Sequence, residues 1–129
     1  MASLTPDSNR LAAGVPVFRY IYAGNFSNVS PAPFLGAYHA SELPLLFGTE
    51  DEFRGPPTPL ERATEIALET AWLAVARGGA RAEEMTGWPR ATSPSGPVRL
   101  FGANGLSVQI VNTAAKDVVC PAVMQNQRV

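Results

Sequence analysis

The run VPVFRYIY at Val15–Tyr22 constrains this chain most. It is a short, nearly continuous apolar stretch of β-branched and aromatic residues, broken after Pro16 only by Arg19. Such a run suits a strand buried on both faces better than an alternating hairpin strand. A single buried strand is not stable alone, because its backbone N–H and C=O groups need neighbours. The other strand candidates, Pro97–Phe101 and Leu106–Asn112 around Gly102–Gly105, are short and late. The pattern therefore implies an α/β chain that forms part of a sheet rather than the whole of one.

The best-marked element begins at Thr58. Thr58 at the N-cap, Pro59 at the first helical position and Glu61 three residues after Thr58 make a capping box. The helix is expected from Pro59 to about Arg77, roughly 28 Å long, with a stop at Gly78-Gly79. Leu60, Ala63, Ala67, Ala71, Trp72 and Val75 form a wide apolar stripe, with Glu61, Arg62, Glu65 and Glu69 away from its centre. That stripe is packing surface.

Around these elements, residues 1–14 read as a polar lead-in and 15–129 as the folded portion. Ala23–Pro33 is loop, and Ser41–Phe47 begins a short helix that Pro44 confines to about one turn. Thr49–Pro57 is a charged, Gly/Pro-rich connector, and Gly87-Trp88-Pro89-Arg90 marks a turn carrying a large ring. The tail from Val118 is ambiguous.

Length and charge narrow the functions. At 129 residues the chain is one modest domain, and its ten Lys and Arg are scattered over a net charge of −1. Nucleic-acid binding needs a basic patch, and none is visible. No run reaches the length of a membrane span. The N-terminal MASLTPDSNR has no secretory signal pattern, yet Asn25-Phe26-Ser27 and Asn28-Val29-Ser30 are both N-x-S sequons, which matter only in a secreted chain. Asn25 and Asn28 are thus candidate glycosylation sites. Cys120 is the sole cysteine, read as a buried or spare thiol, or as one whose partner lies elsewhere.

Chemistry centres on His39, the only histidine. A catalytic histidine requires a nucleophile or metal beside it and an orienting group behind it. The chain holds no Gly-x-Ser-x-Gly elbow, no glycine triplet for an oxyanion hole and no phosphate-binding loop. One His and one Cys cannot close a zinc site, so neither metal nor cofactor is expected. By itself, His39 reads as a structural or exposed histidine, and Glu42 as its support or as a helix-start carboxylate.

Several segments together resemble a known family. VPVFRYIYAGNFSN, GAYHASELPLLFGT, a helix ending AWLAVARGG, and GWPR resemble the C-terminal part of type-B carboxylesterases, over about Leu11 to Phe101. The most specific piece is Gly-x-x-His-x-x-Glu-x-x-x-x-Phe-Gly, matched by Gly36, His39, Glu42, Phe47 and Gly48. The resemblance implies an α/β-hydrolase fold with a Ser, Asp or Glu, His triad. It makes His39 the triad histidine and general base, on the loop after a late strand, with Glu42 supporting that loop. In some members a Cys-Pro step before the late strand pairs with a cysteine near the C-terminus. Cys120-Pro121 matches the second of these, while Thr5-Pro6 stands near the first.

The resemblance also implies what these 129 residues lack: serine elbow, triad acid and oxyanion loop. The expectation is a C-terminal segment of a carboxylic-ester hydrolase, inactive by itself. Its ester substrate would be engaged only in a complete parent enzyme, and an upstream esterase half is the implied partner. The parent family is often secreted. The alternative is a small non-catalytic interaction protein, or a pseudogene product, that binds an esterase-like partner.

Overall fold

The backbone of the apolar run finds its hydrogen-bond partners far along the chain. A computed structural model describes residues 6–112 apart from 53 and 94. In it, β1 (Tyr20–Tyr22) pairs in parallel with β2 (Pro97–Ala103), which pairs antiparallel with β3 (Leu106–Asn112) in the order β1-β2-β3. Tyr20, Ile21 and Tyr22 stand opposite Arg99, Leu100 and Phe101. Among the described residues four α-helices complete the arrangement: α1 (Pro6–Ala12), α2 (Leu43–Leu46), α3 (Pro59–Gly78) and α4 (Ala82–Thr86). Because β1 and β2 are parallel, their connection must cross over the sheet, and α3 lies within that crossover. The result is an α/β arrangement of helices with a small sheet.

The apolar run is less strand-like than its composition suggests. Only three of its residues are strand, and they are half-buried rather than buried on both faces. Pro16 has no donor, and Phe18 bridges Arg90 while the Val17 carbonyl accepts from Ala91 N, so the run divides its pairing between two partners. The Arg19 carbonyl uses both lone pairs, accepting from Arg99 N and Trp88 Nε1, each at 3.0 Å. That carbonyl joins the run to β2 and to the Gly87–Arg90 turn at once.

The lead-in holds helix α1, which the sequence reading missed. Pro6 begins it and Gly14, at φ +70°, turns the chain after it. β2 and β3 each extend over seven residues, because Asn104-Gly105, at φ +58° and +72°, forms a two-residue hairpin turn that suits the strands' twist. Cys120 and the tail from Val118 lie outside the described residues.

Helix α3 carries the capping box in full. Thr58 Oγ1 accepts from Glu61 N at 3.1 Å and Thr58 N donates to Glu61 Oε2 at 3.2 Å. The helix ends at Gly78, with Gly79 at φ +52° donating to the Val75 carbonyl. Its buried face requires a correction: Glu61, Thr64, Glu65, Leu68, Ala71 and Ala74 face inward, whereas Ala63 and Trp72 are exposed. Glu61 and Leu68 are seven residues apart and so share a face. Polar loops pack over the N-terminal half of that face, and this admits its carboxylates.

Towards its C-terminal half, α3 covers the sheet. Leu68 and Ala71 join Phe26, Val29, Leu45, Trp88 and Phe101 in the core. Tyr20 meets Trp72, Trp88 and Phe101 edge-on at ring distances of 5.8–6.3 Å. Gly102 is required where β2 passes the loop after β1: a Cβ there would lie 3.0 Å from Gly24 Cα.

Candidate functional site

His39 stands on a loop that is tied down on both sides. Before it, the short turn Pro33–Leu35 ends at Gly36, whose φ of +56° glycine adopts freely. His39 then occupies a tight turn in which Ser41 N donates to the Tyr38 carbonyl at 3.0 Å. The next residue, Ala40, takes φ +65°, a left-handed conformation that costs an L-residue about 1 kcal/mol. Beyond it, Leu45 of α2 is completely buried against the core and anchors the returning chain.

The imidazole itself is exposed and makes no hydrogen bond or ion pair with a described residue. Phe34, Leu35, Tyr38, Leu43 and Phe47 are exposed along the same loop and its flanks. Glu42 is not joined to His39. Its Oε1 accepts from Tyr20 Oη at 3.3 Å, which ties the loop to β1. Burial raises the Tyr20 phenol above its ordinary value, and the Glu42 charge and hydrogen bond add to the effect. Tyr38 Oη donates to the Val29 carbonyl at 3.2 Å, linking the histidine turn to the preceding loop.

The two sequon asparagines separate. Asn25 is exposed, with Nδ2 donating to the Pro33 carbonyl at 3.0 Å. Asn28 is buried, and its Nδ2, the nitrogen a glycan would occupy, donates to the Glu50 carbonyl at 3.0 Å. In the folded chain the Asn28 side chain thus has a structural role, joining its loop to the Glu50 turn.

Beneath the loop lies a group of carboxylates that sequence reasoning missed. Glu50, on the 3-10 turn Glu50–Glu52, is fully buried, and Glu61 and Glu65 of α3 are nearly so. Arg62 Nη1 reaches both Glu50 Oε1 at 2.7 Å and Glu65 Oε2 at 2.6 Å. Burial raises the Glu61 carboxyl, opposed by Asn28 and the Thr58 N–H. Burial likewise raises Glu65, with the Glu50 charge adding to it and Arg62 opposing. Tyr22 Oη is buried without a hydrogen bond, and burial together with the Glu61 and Glu42 charges drives its phenol far up. In the sequence, EDE at 50–52 falls within the charged, Gly/Pro-rich connector Thr49–Pro57. The only available signal was the seven-residue spacing from Glu61 to Leu68.

Among the described residues no group of three or more His, Cys, Asp or Glu is arranged to hold a metal ion. No described helix is long and apolar enough to cross a membrane. The arrangement therefore offers one chemically versatile group, an exposed imidazole on a strained turn over a braced core.

Comparison with known proteins relates the chain to fungal lipases and esterases. It is 48% identical over 84 residues to "Secreted lipase 5" of Gibberella zeae, a match covering 65% of this chain and 16% of the lipase. It is 36% identical over 127 residues to "Chlorogenic acid esterase" of Aspergillus niger, covering 87% of this chain and 25% of the esterase. The chain thus spans a quarter or less of the length of these relatives. No family model and no solved structure matches it.

Proposed function

We propose that the chain supplies the histidine segment of a serine ester hydrolase of the type-B carboxylesterase kind, with an α/β-hydrolase fold. The observation that carries this reading is the setting of His39. It is an exposed imidazole on a left-handed turn, within Gly36-x-x-His39-x-x-Glu42-x-x-x-x-Phe47-Gly48, in a chain similar to a lipase and an esterase.

In the assembled enzyme His39 takes the proton from a serine hydroxyl as that oxygen attacks the ester carbonyl. It then returns the proton to the departing alcohol, leaving an acyl-serine. Water enters by the same route in reverse: His39 accepts its proton and restores it to the serine as the acid departs. Glu42 acts at one remove, holding the loop to β1 through Tyr20. A polypeptide of these 129 residues, without a serine elbow, does not turn over ester.

The test is a chimera in which this chain replaces the matching segment of the Aspergillus esterase. The chain alone should leave p-nitrophenyl acetate intact, and the chimera should hydrolyse it. His39→Ala should lower kcat of the chimera by about a thousandfold or more. An active chimera indifferent to His39→Ala would overturn the assignment.

A further inference from the structure

The segment between Asn28 and Glu50 is closed at its base, with His39 midway along it. Asn28 Nδ2 donates to the Glu50 carbonyl at 3.0 Å, joining the two ends directly. Arg54 Nη1 donates to the Asn28 carbonyl at 3.2 Å and approaches that of Val29 at 3.4 Å, from beyond the second end. The Glu50 carboxylate, wholly buried, is held to α3 by Arg62, which also holds Glu65. Glu65 in turn lies against the Gly48 turn, where a Cβ would stand 3.5 Å from its Oε1. Both Glu50 carboxylate oxygens and Asn28 Oδ1 are buried without a hydrogen bond, so Arg62 meets Glu50 as an ion pair.

We infer that Asn28, Glu50, Arg62 and Glu65 form a clasp that positions His39, fixing both ends of its loop on the first turns of α3. Asn28, Glu50 and Glu65 are buried here while Arg62 stays half-exposed, and three polar side chains buried at one point are costly to maintain. Hydrophobic packing alone could cover this face of α3, but it would not determine where the two chain ends meet. An ion pair to a buried carboxylate, with directional hydrogen bonds beside it, selects one register of loop against helix. Among the described residues only the Arg62 guanidinium bridges the two carboxylates, so it is the pin of the clasp. Its removal leaves the Glu50 charge buried and unpaired.

The consequence for catalysis rests on the reading of His39 given above, whereas the clasp itself does not. Two measurements keep them apart. In hydrogen exchange of the full chain followed by mass spectrometry, Arg62→Met should speed exchange of peptides within 29–49 by about tenfold or more. Peptides of the β2–β3 hairpin should change by less than about twofold, and Arg62→Lys should restore most of the protection. Uniform acceleration over both regions, no acceleration, or an unprotected 29–49 segment in the parent chain would each overturn the clasp. In the chimera, Arg62→Met should lower kcat about tenfold with KM nearly unchanged, because the imidazole is displaced without loss of a substrate contact. An inactive chimera with the expected exchange pattern would overturn the esterase reading alone. An active chimera with kcat unaffected would leave a clasp that does not position His39, and so refute the inference.

Discussion

Ala40 holds the local strain of the histidine turn. At φ +65° an alanine bears about 1 kcal/mol that glycine would not. Glycine, however, brings extra freedom to the unfolded chain, so Ala40→Gly should leave stability within about 1 kcal/mol. Ala40→Val adds a branched Cβ to a left-handed residue and should destabilise by about 1–2 kcal/mol or more, read as a lower denaturant midpoint. A Val variant as stable as the parent would show that the turn relaxes out of this conformation. In the sequence His39 was legible as the one candidate base and Glu42 as its companion. Ala40 was not, because nothing in HASE announces a left-handed residue. The burial of Asn28 was hidden for a related reason: a sequon is a local pattern, whereas the setting of its amide nitrogen depends on a carbonyl at residue 50.

At the scale of elements, α3 was the most legible part of the chain. Its start is written in four consecutive residues, and a capping box works through contacts no more than three positions apart. Its inward face was only half legible, since the apolar stripe located Ala71 and Val75 but passed over Leu68. Leu68 is completely buried between the helix and the core, and Leu68→Ala should destabilise by about 2–5 kcal/mol. A thermal or denaturant unfolding curve measures it, and a loss below about 1 kcal/mol would mean the core closes over the space. The β2–β3 hairpin was legible as two short strands around Gly102–Gly105, although β2 runs on past Gly102 to Ala103.

For the whole molecule, the buried carboxyls give a pH dependence whose sign follows from the direction of their shifts. Glu61 and Glu65 both lie above their ordinary values when folded, because burial favours the neutral acid. In that case the folded state binds more protons than the unfolded chain as pH rises past the ordinary carboxyl range. Their contribution is therefore fully present below that range and lost as pH climbs through the raised folded values. The denaturant midpoint should fall as pH rises above the ordinary carboxyl range, and Glu65→Gln should flatten the decline. A midpoint that rises there would contradict the assignment. Arg99, over the rings of Trp88 and Phe101 at 5.8 and 5.7 Å, is lowered by its own burial.

By itself the sequence determined what depends on neighbours along the chain. It gave the cap and stop of α3, the turn at Gly87–Arg90, the two late strands, and a histidine motif resembling that of esterases. Tertiary structure alone decided which strand pairs with which, that β1 is a short strand with half-buried residues, and that Glu50, Glu61 and Glu65 lie inside. The physical reason is range. Capping and turn formation are settled within a few residues, so their chemistry is visible in a short window. The parallel pairing of Tyr20–Tyr22 with Arg99–Phe101, and the burial of Glu50 against Arg62 and Asn28, join residues remote in sequence. Their energies exist only once α3 has brought both sides together.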